Sequence, residues 1–114
     1  MRLALVSVLA VAAVALIPAS ASAATCKLPA DGRGLGPTYL LALTTTKAGC
    51  GQGKAVVKAW HACATKRRAD GRCATKVLGY RCSEKRVTGP TEFDAKATCV
   101  KGAARVRFTY TQFT

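Results

Sequence analysis

The chain predicts an α+β domain: one amphipathic helix packed on a three- to four-stranded antiparallel sheet, stapled by three disulfides. Three observations carry that expectation. Cys50 to Cys63 reads as a helix holding the only tryptophan, Trp60. Two strand-like runs near the C-terminus flank Lys101-Gly102, a two-residue hairpin signal. Six cysteines, an even number, all follow residue 25 in a chain of 114 residues, which in a short exported protein reads as a disulfide framework.

Export itself is read from the first 23 residues. Arg2 opens a positive start, Leu3 to Ile17 is an apolar run, Pro18 interrupts it, and Ala21-Ser22-Ala23 fits the small-x-small cleavage pattern. The run is shorter than the ~20 residues a spanning helix needs. Cleavage after Ala23 leaves residues 24–114, one small domain, which is expected in the extracellular space or on the cell envelope. The division expected is 1–23 signal peptide, 24–37 irregular N-terminal segment and 38–114 α+β domain.

Residues 24–37 hold Cys26 and a turn-rich stretch, Pro29-Ala-Asp-Gly-Arg-Gly-Leu-Gly-Pro37. Thr38 to Thr46 is rich in strand formers, with Tyr39, Leu41 and Leu43 on one face and Leu40 and Ala42 on the other. Gly49 stands at the helix N-cap, with Gln52 as its capping-box partner. Val56, Val57, Trp60, Cys63 and Ala64 then make one apolar stripe, and Lys54, Lys58, His61 and Thr65 fall opposite. Basic Lys66, Arg67 and Arg68 suit the negative end of the helix dipole, so the helix is expected to fade there and stop at Asp70-Gly71.

Beyond the helix the pattern is β. Thr75 to Ser83 alternates, with Leu78, Tyr80 and Cys82 on one face and Val77, Gly79 and Arg81 on the other, and Gly89-Pro90 marks a turn. Phe93, Ala95, Ala97 and Cys99 share a face of the next strand. A loop at Lys101-Gly102 sets Cys99 opposite Ala104, Ala97 opposite Val106, Ala95 opposite Phe108 and Phe93 opposite Tyr110. The alanines leave room for Trp60. Six cysteines allow 15 pairings. Cys82 with Cys99 follows from the shared face, Cys63 with Cys73 is the local closure around the turn, and Cys26 with Cys50 remains.

Several of these segments resemble a widespread group of small exported actinobacterial proteins with Ser-Cys-x-x-Ala-x-x-Val-x-x-aromatic at the helix start. Here Gly49-Cys50 followed by Ala55-Val56-Val57 and Trp60 is similar to that start. Gly79-Tyr80-Arg81-Cys82, Thr98-Cys99-Val100-Lys101-Gly102 and Arg105-Val106-Arg107-Phe108 are similar to the group's closing hairpin. Gly49 and Gly51 depart from the usual start, and Cys63 and Cys73 are an addition. The resemblance implies the fold and carries over no functional residue.

The chemistry expected is non-catalytic. The mature chain offers one histidine, His61, and five carboxylates, Asp31, Asp70, Glu84, Glu92 and Asp94; no phosphate loop, zinc-protease helix or nucleophile elbow surrounds them. No cofactor or metal is expected. A ribonuclease would need Glu84 and Arg86 or Arg107 to meet His61, which the helix pattern turns away from the sheet. The net charge of +13 points instead to anionic partners. Lys54, Lys58, Lys66, Arg67 and Arg68 along the helix, and Lys96, Arg105 and Arg107 on the outer face of the hairpin, are the candidate polyanion-binding residues. The partners expected are anionic envelope polymers, membrane surfaces and, non-specifically, nucleic acid, met by a monomer. A protease inhibitor presenting the turn Gly89 to Glu92, or a toxin-like effector, is the alternative.

Overall fold

The computed structural model describes residues 7, 9–12 and 23–114, so most of the expected signal peptide lies outside the described residues. Among the described residues five strands and one helix follow in order: β1 (Ala24–Thr25), β2 (Tyr39–Thr46), α1 (Cys50–Ala64), β3 (Arg81–Thr88), β4 (Glu92–Lys101) and β5 (Ala104–Phe113). The strands form one antiparallel sheet of order β1-β2-β5-β4-β3. The sheet thus has five strands, where three to four were expected. The extra one, β1, pairs Ala24 with Thr45 and Thr25 with Thr44, a run too short to show an alternating pattern.

Helix α1 covers one face of this sheet and leaves the other bare. Val56 and Val57 are fully buried, and Gly53, Trp60 and Ala64 extend the buried stripe. Trp60 packs at 5.2 Å from Phe108 and 5.0 Å from Tyr110, ring centre to ring centre, on β5. Phe93, Ala95, Ala97, Cys99, Val106 and Leu43 complete the layer beneath it. Gly53 has a specific use: a Cβ there would lie 2.7 Å from the Thr45 methyl, so glycine sets how closely the helix approaches β2.

The helix ends sooner than the basic run suggested. Its C-cap is Thr65, whose hydroxyl donates to the His61 carbonyl at 2.7 Å. Lys66, Arg67 and Arg68 lie beyond it. The chain folds back at once: a Cβ on Gly71 would stand 2.2 Å from the Ala64 carbonyl oxygen. At the other end Gly49 is the N-cap and makes no side-chain cap bond. Disulfides hold both ends instead, Cys26–Cys50 at the start and Cys63–Cys73 at the finish, while Cys82–Cys99 ties β3 to β4. The loops they close span 24, 10 and 17 residues, so restricting the unfolded chain contributes about 3 kcal/mol each. That is comparable to the ~5–15 kcal/mol that separates folded from unfolded in most domains.

Three strand expectations need correction. The hairpin loop is Gly102–Ala103, closed by Lys101 opposite Ala104, which slides the register by two: Cys99 faces Val106, Ala97 faces Phe108, Ala95 faces Tyr110 and Phe93 faces Gln112. Gly102 takes the first loop position with φ +57° and Ala103 does not share its positive φ, the pattern of a type II′ turn. A slide of two keeps every side chain on its expected face. In β2 a bulge between Leu40 and Ala42 lets Leu41 drop out of register; Leu40, Leu43 and Thr45 are buried and Leu41 is exposed. The third strand begins at Arg81, not Thr75. Leu78 and Gly79 form a tight turn with φ +49° and +80°, and Val77 and Tyr80 exchange backbone bonds of 2.9 and 2.8 Å across it.

Truncating the central contact should be costly. Trp60→Ala is expected to lower stability by about 3–5 kcal/mol in urea denaturation, because the helix loses its seat on Phe108 and Tyr110.

Candidate functional site

Pairing in the sheet aligns side chains into rows on its uncovered side. Arg81, Val100, Arg105 and Thr46 form the first row, and Ser83, Thr98, Arg107 and Thr44 the second. Lys85, Lys96, Thr109 and Ala42 form the third; Val87, Asp94, Thr111 and Tyr39 form the fourth. Rows stand about 6.7 Å apart and strands about 4.8 Å apart. Arg81, Lys85, Lys96, Arg105 and Arg107 therefore share one broad surface, with threonine and serine hydroxyls between them. Among the described residues none of the five makes an ion pair. Two carboxylates share this face: Asp94, which accepts the Thr111 hydroxyl at 2.5 Å, and Glu92, opposite Phe113 at the far end. Tyr39 and Phe113 meet edge to face at one end, with Arg33 over the Tyr39 ring.

The structure thus gathers Lys96, Arg105 and Arg107 on one face and adds Arg81 and Lys85. The expected strand already set Arg81 on the outer face without counting it among the candidates, and Lys85 lies beyond its expected end at Ser83; β3 in fact runs on to Thr88. Lys54 and Lys58 lie on the helix, across the sheet from this surface. Lys66, Arg67 and Arg68 lie in the loop bounded by Cys63 and Cys73, and Arg68 pairs with Asp70 at 2.9 Å. The eight candidates therefore divide into separate surfaces.

The covered face of β3 holds a different cluster. Glu84 and Arg86 point inward, opposite Ala97 and Ala95, and form an ion pair at 2.5 Å with side chains only 7% exposed. Arg72 approaches Glu84 at 3.2 Å from solvent. The Tyr110 hydroxyl donates to the same carboxylate. Arg86 donates to the Asp70 and Gly71 carbonyls at 2.7 Å each and lies 4.0 Å over the Phe93 ring. Burial, and then the hydrogen bond and charge of Glu84, push the Tyr110 hydroxyl far above its ordinary range. This pair anchors the Cys63–Cys73 loop over the end of the core.

His61 departs from expectation. It faces the C-terminal end of the central strand β5, half-buried, with Nε2 3.3 Å from the Gln112 amide oxygen. The N-terminal segment closes over it, since a Cβ on Gly36 would lie 2.8 Å from the imidazole. Its side of the helix is covered by chain that the helical pattern alone does not include. Burial lowers its pKa below the usual 6.5, opposed by the Gln112 bond. Glu84, Arg86 and His61 therefore lie on the same side of the sheet, yet the ion pair is shut beneath Asp70 and Gly71. The turn at Gly89 to Glu92 is closed by a 2.7 Å bond from the Gly89 amide to the Glu92 carbonyl. Among the described residues no cluster of histidine, cysteine and carboxylates could hold a metal, and no helix is long and apolar enough to cross a membrane.

No protein-family model matches the chain, and neither a curated protein nor a solved structure is significantly similar to it.

Two measurements check this description. Arg86→Met should cost about 3 kcal/mol or more in urea denaturation, because it leaves Glu84 buried with less compensation. Glu84→Gln combined with Arg86→Met should cost less than the two single changes added together. Stability should also fall as pH drops below about 6.5, since the unfolded imidazole then binds a proton the folded one resists. His61→Gln should flatten that part of the stability profile.

Proposed function

We propose that the mature chain is a secreted, disulfide-stabilised, non-catalytic interaction module whose open sheet face binds anionic polymers or anionic surfaces of the cell envelope. The observation that carries this reading is the set of five cations on one bare face without an ion-pair partner among the described residues. Such a surface raises the local concentration of a polyanion and offers it several contacts at once. Arginines add planar donor pairs that match phosphate or carboxylate, and the hydroxyls between them add short-range bonds.

The three disulfides support an oxidising compartment, in keeping with export. The resemblance to small exported proteins agrees with it. Nucleic acid is a lesser partner, because exposed stacking rings on this face are confined to Tyr39 and Phe113 at one end. The inhibitor alternative draws no support from Gly89 to Glu92, a short closed turn without an extended strand to enter a protease cleft.

Retention of the oxidised, processed protein on wall polymer, anionic vesicles and DNA tests the reading. Binding should fall by about tenfold to a hundredfold as salt rises from about 50 to 200 mM, the range expected when a few anionic groups are neutralised. Arg105→Glu with Arg107→Glu should abolish most retention, and Lys54→Glu with Lys58→Glu should leave most of it. Equal losses in the two variants, or no retention on any support, would overturn the proposal.

A further inference from the structure

Where β3 begins and β4 ends, a cleft of about 570 Å³ opens beside the sheet. Three cations reach it from separate segments: Lys76 from the loop before the Leu78-Gly79 turn, Arg81 from the first position of β3, and Lys101 from the last position of β4. No carboxylate lines it, and none of the three makes an ion pair among the described residues. The basic loop between Cys63 and Cys73 differs in this respect: there Arg68 and Arg72 are committed to Asp70 and Glu84.

The tight turn shapes the cleft. Lys101 leans across it, its ammonium 5.8 Å from the Tyr80 ring centre. A Cβ at Gly79 would stand 3.2 Å from Lys101 Cε, so glycine supplies both the turn's positive φ and the room for that side chain. Val100 and Cys82 give the wall an apolar part, and Ser83 places a hydroxyl beside Arg81. The volume falls in the ~300–1,000 Å³ range of small-molecule sites and exceeds what a bare phosphate needs.

We propose that this cleft binds a phosphomonoester carried on a small sugar or polyol, with the phosphate held among Lys76, Arg81 and Lys101. No carboxylate offsets the three charges that line the cleft, and a dianion supplies that counter-charge. The arginine can grip two phosphate oxygens in one plane while the lysines act as point charges. The apolar wall and Ser83 then face the carbon skeleton and its hydroxyls. The site shares Arg81, Ser83 and Val100 with the open face, while Lys76 and Lys101 belong to it alone, and it does not depend on polymer binding there.

Titration of the isotope-labelled, oxidised protein with glycerol 3-phosphate, followed by amide chemical shifts at about 0.15 M ionic strength, tests the assignment. The expected result is saturable shifts confined to residues 76–83 and 99–103, with glycerol inert and sulfate weaker. Lys76→Ala with Lys101→Ala, both exposed side chains, should weaken that affinity by about tenfold or more. Lys96→Glu with Arg107→Glu, which lie on the open face, should leave it unchanged. No saturation by about 10 mM ligand, shifts spread over the whole basic surface, or an unaltered Lys76→Ala, Lys101→Ala variant would each overturn the site. Loss of polymer retention with glycerol phosphate still bound would count against the open-face reading alone.

Discussion

The architecture depends on the seating of a single helix against one side of the sheet through Trp60. The indole fills the space over Phe108 and Tyr110, and the small Ala95 and Ala97 across the strand pairing keep that space open. One helix can cover only one face of five strands. The opposite face must remain in water, so its side chains are free to be polar and cationic. Disulfides at both helix ends and at the far edge offset the small core, which alone could not order a chain of this length by a wide margin.

The same constraint explains the buried ion pair. Helix α1 packs chiefly on β2 and β5, away from the edge strand β3. The Cys63–Cys73 loop covers that end of the core, and a loop presents backbone carbonyls where a helix would present apolar side chains. Arg86 satisfies the carbonyls of Asp70 and Gly71, and Glu84 balances its charge. Two inward side chains of β3 are therefore polar, an arrangement that stabilises the loop's position more than it adds net stability. On the open face only Arg105 reaches backbone carbonyls, those of Gly102 and Ala104 at the hairpin, and none of the five cations there has a carboxylate partner among the described residues.

Much of this was legible in the sequence, and the misses share a cause. The helix start at Cys50, the stripe from Val56 to Ala64 and the inward faces of β4 and β5 all follow from periodicity, which reports what is buried. The sliding of the hairpin by two residues was invisible because Gly102 fits either loop position and both registers bury the same side chains. Leu78 reads as a strand residue by propensity, yet it holds a positive φ in a tight turn, and the strand that follows runs from Arg81 to Thr88, which brings Lys85 onto the surface beside the outward Arg81. Leu41 leaves the strand pattern at a bulge. His61 appeared exposed because the helical wheel knows nothing of the segment around Gly36 that folds over it. Pattern therefore gave the layers, while local backbone irregularities decided which cations share a face.

Lysine acylation footprinting with and without bound anionic polymer tests that division most directly. Lys85 and Lys96 stand on the open face, and Lys54 and Lys58 on the far side of the helix. The account predicts that polymer slows modification of the first pair and leaves the second pair unchanged. Protection of Lys54 and Lys58 with Lys85 and Lys96 still reactive would contradict it.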